Sequence, residues 1–386
     1  MASSDATRTG GGNAFCSDTR VVRRRCARRD TKGRRTYARS LDETPIAPLF
    51  DRRETMDRKP KICRSLQKIG PPRSTAAGGP GQLEAAMSIL VGTASWTDKT
   101  LIESGAFYPP GCNSADARLR HYASVFPLVE VDSSYYAMPS AANSALWVER
   151  TPPGFVFDMK AFRLFTGHQT ERKFFPKDLQ AELPDNGKKN LYYKDVPAPI
   201  VEELWSRFFE ALRPLHEAGK LGAVLFQFPH WITAAPKSLA HVGHCAERMY
   251  PLLTAFEFRH ESWFDEKHCE STLAMERERG IVHVIVDAPE GVTNRVHSIW
   301  EVTSPKLVIV RLHGRNASTW NGSASVAERF NYEYSDDELR DLAGPIVDVA
   351  ARTAHTHVVF NNCYCDVGVR NAGTLMRLVG AGSGTR

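Results

Sequence analysis

From residue 87 onward the sequence predicts a TIM-type (β/α)8 barrel, and three observations carry that expectation. Short β-rich apolar runs alternate with amphipathic stretches eight times over. Such alternation implies parallel strands joined by helical crossovers, and eight units in about 300 residues suit a closed barrel better than an open sheet. Polar and charged residues also collect at the C-terminal ends of the apolar runs, the end where barrels of this kind carry their sites.

The expected strands are Ile89–Ser95, Val129–Tyr136, Gly154–Ala161, Leu221–Pro229, Thr254–His260, Val282–Pro289, Leu307–Gly314 and His357–Asn362. Near-continuous apolar runs of this length are what strands covered on both faces look like. Helical patterns fill most gaps. Ala115–Phe126 follows Ser114, a good N-cap, and Ala141–Arg150 comes next. Pro199–Ala218 starts near a proline, Ser238–Met249 follows, and Asp265–Arg279 is closed by Gly280. Asp336–Arg352 opens on Ser335-Asp336-Asp337-Glu338, a capping box, and Gly373–Val379 is the last. The sixth connection, around Asn294–Val302, is short and carries no clear helical pattern. The link from Phe162 to Pro199 is far longer than usual, a length often given to lids or binding segments.

Composition bounds the class. Of 386 residues, 42% are apolar and 24% charged, ordinary for a globular chain. No run of eighteen apolar residues offers a membrane span. The net charge of +6 is unevenly spread: residues 1–86 hold 19 Lys and Arg against 9 Asp and Glu, leaving 31 against 35 for the remainder. The barrel segment is thus mildly acidic, which argues against a wide grip on a nucleic-acid backbone. Eight cysteines show no CxxC pair and no zinc spacing. Cys363 and Cys365 are either a metal or redox pair or, as favoured, two residues ending a buried strand. The lack of a secretory signal points to the cytoplasm and to reduced thiols.

Residues 1–86 read as a disordered basic extension, with Arg23-Arg24-Arg25, Arg28-Arg29, Arg34-Arg35, Pro71-Pro72 and no hydrophobic periodicity. Three readings compete: a basic arm for nucleic acid, an Arg/Ser-rich transit peptide, or sequence outside the native protein. Asp18, Asp30, Asp42 and Glu43 count against the transit peptide. Met87 directly precedes the first strand, so a native start at Met87 is favoured, with the barrel domain at 87–386.

Candidate site residues follow the strands. Strand one ends in Ser95-Trp96. Strand two carries Glu130 and Asp132, two apart and so on one face. Lys160 ends strand three and Gln227 lies on strand four. Glu257 and Arg259 share a face of strand five, ahead of His260, and Asp287 ends strand six. Arg311 and His313 alternate on strand seven, followed by Arg315, and strand eight ends in Asn361-Asn362. A charge on an apolar strand is costly unless paired, so convergence of such groups suggests one shared pocket. Each also has a structural reading: Glu130 as an internal partner for Arg259, Glu257–Arg259 as a buried network, Asp132 and Asp287 as loop caps, His260 as a structural group. Trp96, Tyr135, Tyr136, Phe162, Trp263 and Trp320 form an expected aromatic rim for stacking on a sugar or base, with Phe162 by default in the core.

A further set of motifs runs along the chain: Val91-Gly92-Thr93-Ala94-Ser95-Trp96, Gly105-Ala106-Phe107-Tyr108-Pro109, Val129-Glu130-Val131-Asp132 and Tyr135-Tyr136. Further on come Lys160, His168, Gln227-Phe228-Pro229, Glu257-Phe258-Arg259-His260, Ser262-Trp263, Arg311-Leu312-His313-Gly314-Arg315, Trp320, Asn361-Asn362 and Asn371-Ala372. They span almost everything after Met87, in order, and through them the sequence resembles a known family, the domain of unknown function family 72, or YecE-like family. Departures are Ala94 where glycine is usual, Ser134-Tyr135 where Thr-Phe is usual, and Asp132 where asparagine is usual, which adds a carboxylate. The resemblance implies a TIM barrel and supplies no reaction. A suggested likeness of that family to barrel-type apurinic endonucleases would imply nucleic-acid binding on a multi-metal site. With His260 and His313 alone among the rim residues, this sequence suits a single divalent metal at most.

The leading expectation is an enzyme of hydrolase or lyase/isomerase type acting on a small anionic substrate. Glu257, His313, Lys160 and Asp287 form the expected catalytic set. Arg259, Arg311, Asp132, Glu130, Gln227, Asn361, Trp96 and Tyr136 form the expected binding set, with no committed metal ligand or cofactor. The alternatives are a nucleic-acid-binding protein or phosphodiesterase, and a non-catalytic small-molecule binder.

Overall fold

The computed structural model describes residues 88–185, 187–289, 296–320 and 326–381. The N-terminal extension and the expected start at Met87 lie outside them. Ten strands follow in chain order: β1 (Ser88–Thr93), β2 (Leu128–Val131), β3 (Val156–Lys160), β4 (Thr170–Glu171), β5 (Asn190–Leu191), β6 (Leu221–Phe228), β7 (Thr254–Phe258), β8 (Val282–Asp287), β9 (Leu307–Leu312) and β10 (His355–Phe360). Eight of them close a barrel in the order β1-β10-β9-β8-β7-β6-β3-β2, every pairing parallel. The two-residue β4 and β5 pair antiparallel outside it.

All eight expected strands are present, but they end sooner than the apolar runs. The second stops at Val131 instead of running to Tyr136, because Asp132–Tyr135 form a 3-10 turn. The Ser134 hydroxyl fixes that turn by reaching the carbonyls of Val131 at 2.7 Å and Lys160 at 2.6 Å.

The longer helices α2 (Ala115–Val125), α3 (Ala141–Glu149), α4 (Ala198–Glu217), α5 (Pro236–Met249), α6 (Cys269–Arg279), α9 (Asp336–Ala350) and α10 (Val367–Ala381) cover the barrel, with three short ones among them: α1 (Lys99–Ser104), α7 (Ala317–Trp320) and α8 (Val326–Arg329). Local chemistry sets their ends. Ser114 accepts from the Ala117 N–H, Ser335 and Glu338 form the expected capping box, and Gly280 closes α6 at φ 66°. The sequence reading missed α1, although Asp98 caps it by accepting from the Thr100 and Leu101 N–H groups. It also cut α10 short. No helix appears between β8 and β9 among the described residues. None of the described helices is long and apolar enough to cross a membrane.

Helix α4 shows what holds the outer layer. Leu204, Trp205, Phe208, Leu212 and Leu215 recur at helical spacing and are buried. Each such side chain contributes about 1.5–3 kcal/mol of transfer free energy. Phe165, from the long link after β3, stacks on Trp205 at 3.6 Å and pins the start of that link to the helix.

The barrel interior obeys a period of two. Small and branched apolar residues fill part of it: Ala223, Leu225, Ala255, Val284 and Ile309, with Leu128 and Val359 in a neighbouring cluster. Where the run turns polar, the groups are paired. Asp158 on β3 meets His357 Nδ1 on β10 at 3.0 Å and accepts from the Ala223 N–H at 3.0 Å. Gly222 leaves room for this pair, since a Cβ there would lie 2.3 Å from Asp158 Oδ1.

Candidate functional site

At the C-terminal ends of the strands the barrel opens into a cavity of about 510 Å³. Each strand segment that lines it continues the interior alternation. Lys160 lies two residues past Asp158, Gln227 two past Leu225, Arg259 two past Glu257, and Asn361 two past Val359. The connections between strands add Asp132, Tyr135 and Tyr136 after β2, His168 from the long link, His230 and Trp231 after β6, and, after β9, Trp320 at the end of α7, Arg329 at the end of α8, and Phe330.

One step beneath the cavity wall lies a dry charged network. Arg311 is fully buried and donates twice to Glu130, from Nε at 2.8 Å and Nη2 at 2.6 Å, and its Nη1 donates to Glu257. Glu257 also takes the Gln227 amide at 2.7 Å, the Arg259 guanidinium at 3.1 Å and His313 Nε2 at 3.2 Å. Burial opposes the charge of Glu257, but Arg311, Arg259 and His313 outweigh it and hold its carboxyl well below the usual range. For Glu130 burial wins over the attraction of Arg311 and Lys160, and its pKa is raised. Burial pushes His313 down to about 3 despite Glu257. The neutral ring gives its Nε2–H to Glu257 and accepts the Asn361 amide on Nδ1 at 2.7 Å.

The wall itself is cationic. Among the described residues, Lys160, Arg259 and Arg329 line the cavity against a single carboxylate, Asp132. Lys160 pairs with Asp132 and sits 4.9 Å over the Tyr135 ring. Arg259 lies 5.5 Å over Trp320, and burial lowers its pKa against the pull of Glu257. The buried Nε of Arg329 makes no hydrogen bond among the described residues.

His168 is the wall residue best placed to exchange a proton. The Thr166 hydroxyl donates to the Arg163 carbonyl at 3.1 Å, so it accepts from His168 Nδ1–H at 2.8 Å. That fixes the tautomer and leaves Nε2 as an acceptor. Burial first, then Lys160, Arg163, Arg259 and His230, push its pKa down to about 3.

The structure thus brings most of the expected residues together, in two layers. Lys160, Arg259, Gln227, Asn361, Asp132 and Tyr136 are on the wall. Glu257, Glu130, Arg311 and His313 lie behind it with no exposed surface, and the partner of Glu130 is Arg311, not Arg259. Arg311 and His313 were expected to hold an anion and shuttle a proton, but every polar side they present is already occupied by protein. Asp287 sits off the cavity wall, where it takes a two-nitrogen contact from Arg315 and the Tyr334 hydroxyl at 2.6 Å. Two expected rim aromatics are core instead: Trp96 packs edge-on against Trp147 at 5.7 Å, and Trp263 is fully buried, while Phe162 is in the core as its default reading had it. Sequence reasoning assigned no role to His168, His230 and Trp231, which sit on loops, or to Arg329, which ends the four-residue α8; none has a periodicity to mark it.

Among the described residues no three His, Cys, Asp or Glu side chains gather as a metal site. The carboxylates near the cavity are instead engaged by Arg311, Lys160, Arg259 and Arg315. Donors saturated by cationic side chains make a poor fit for a divalent ion.

Comparison with known proteins agrees with this fold. Residues 90–385 match the family model described as "Protein of unknown function DUF72". The UPF0759 protein YunF of Bacillus subtilis (strain 168) is 32% identical over 278 residues, covering 71% of this chain and 88% of the relative. A crystal structure of a DUF72 family protein from Enterococcus faecalis V583 superposes with a TM-score of 0.62 at 27% identity, covering 76% of this chain and 95% of the other. One from Thermotoga maritima MSB8 gives 0.60 at 28% identity, covering 76% and 99%.

Proposed function

The chain belongs to the DUF72 family of proteins of unknown function, and from that premise we propose that it is an enzyme acting on a small anionic substrate, with His168 as general base. One observation carries the reading: a neutral imidazole with an acceptor Nε2 stands in a cavity whose wall, among the described residues, holds three cationic side chains against one carboxylate. The barrel segment as a whole has more acidic than basic residues, so the positive wall is a local feature. Lys160, Arg259 and Arg329 bind the phosphate or carboxylate of the substrate. His168 Nε2 takes a proton from the substrate or from an attacking water, and the same cations stabilise the electron pair left behind. Glu257 and His313 act as positioning residues, since they fix Arg259, Gln227 and Asn361 at the wall.

The test is a phosphate titration followed by NMR of the His168 ring. An anion beside His168 offsets the cations that lower its pKa, so the pKa rises from about 3 when inorganic phosphate binds. A His168 that titrates near the ordinary value of ~6.5 without phosphate, or that does not respond to phosphate at all, overturns the reading.

A further inference from the structure

The cationic wall does not stand alone. One side of the cavity is a run of rings in edge or tilted contact. Phe174 lies 6.3 Å from Tyr136, Tyr136 4.9 Å from Tyr135, Tyr135 5.2 Å from His168, and His168 5.5 Å from Trp231. All but Phe174 line the cavity. The run meets the charged part of the wall at Tyr135, under the Lys160 ammonium.

Two of its cavity-facing rings are also open to solvent. Trp231 is 47% exposed and Tyr136 44%, two of only seven exposed large hydrophobic side chains among the described residues. Most other aromatic side chains of the barrel are buried. Exposed rings at the mouth of a cavity mark a surface that a ligand covers. Across the cavity, Phe258, Val286, Ala288 and Val296 offer apolar surface with little to hydrogen-bond. A purely inorganic anion would use none of this.

Building on the anion reading, we infer that the ligand carries a planar aromatic or heteroaromatic ring joined by a short link to its phosphate or carboxylate. The ring stacks on the Tyr136–Tyr135–Trp231 side while the anionic end meets Lys160, Arg259 and Arg329. A cavity of about 510 Å³ accommodates both parts, within the ~300–1,000 Å³ usual for small-molecule sites. Trp231 and Tyr136 are then specificity-determining residues. Each offers a flat face and has few rotatable bonds to freeze on binding.

Binding of matched pairs to the full chain, by calorimetry, separates the two parts. Phenyl phosphate is compared with cyclohexyl phosphate, and benzoate with cyclohexanecarboxylate, so that within each pair only ring planarity changes. The aromatic member of at least one pair is expected to bind about tenfold tighter, the scale of one stacking contact. Trp231→Ala is expected to bring that ratio close to one, the aromatic member losing about tenfold more affinity than its cyclohexyl partner. Trp231 is half exposed, so this variant keeps the fold, and Tyr136→Leu provides a second one. Equal affinities within both pairs in the wild-type protein overturn the ring inference but leave the anion reading standing. A tenfold preference that survives both substitutions overturns the assignment to this wall. Failure of all four compounds and of inorganic phosphate to bind overturns both readings.

Discussion

Beneath the cavity, Arg311 gives its guanidinium to Glu130 and Glu257, and Glu257 accepts from four side chains. On the cavity wall, two residues past Glu257, Arg259 keeps only Glu257 and the Trp320 face among the described residues, and Arg329, at the end of α8, has a buried Nε with no hydrogen bond among them. The two layers use similar side chains and differ in how completely the protein itself satisfies them. A guanidinium whose three nitrogens each meet a buried carboxylate is part of the fold. One with donors to spare, facing a cavity, is available to a ligand. Residue type alone does not tell the two apart.

Substituting the lower layer separates them most strongly. Arg311→Met leaves Glu130 buried without its hydrogen-bonded partner and Glu257 with Arg259 as its remaining ion pair, and should cost about 3–5 kcal/mol in urea unfolding. A loss under about 1 kcal/mol would erase the distinction between the layers.

Acid gives the next largest effect. His313 and His168 are neutral in the folded protein, with pKa values pushed down to about 3, while the unfolded chain takes up their protons near ~6.5. Stability is therefore full above about pH 6.5 and falls as pH drops toward 3, by about 1.4 kcal/mol per pH unit for fully buried His313. His313→Asn should flatten the upper part of that slope in a series of pH-dependent denaturant melts. An unchanged slope would remove His313 from the buried layer.

The wall should behave in the opposite way. Arg329→Gln is expected to change unfolding free energy by no more than about 0.5 kcal/mol, and to weaken phosphate binding about tenfold, as loss of one charge-assisted contact does. Calorimetry and a thermal melt on the same sample measure both. If the melt moves and the binding does not, Arg329 belongs with the structural layer.

Much of this was legible in the sequence, because the barrel interior repeats every second residue. Glu257-Phe258-Arg259 and Arg311-Leu312-His313 each place two polar side chains on one face, and that face is the interior. The period shows the direction of a side chain and says nothing of its depth. It therefore grouped Arg311 with Arg259, although one is sealed and the other lines the cavity. Asp132 illustrates a second limit. It appeared to continue the face of Glu130, but the Ser134 hydroxyl turns the chain at that point. His168 shows a third, since it is held at the wall by contacts with Tyr135 and Trp231 from other connections, on a link that Phe165 anchors to Trp205. Such a contact between distant segments leaves no local pattern. Trp96 errs the other way: it follows a strand end, yet Trp147 and Phe157 draw it inward.

Glu130, Arg311 and Glu257 sit on β2, β9 and β7, no two of which are neighbours in the barrel. Their contacts act as a brace across the ring of strands, holding its cross-section independently of the loops above. Changes at Trp231, Tyr136 or Trp320 meet a rim that is already held in shape from within. One lineage of this barrel can therefore exchange the rings at its mouth, and with them its preferred ligand, without first having to acquire a new means of staying closed.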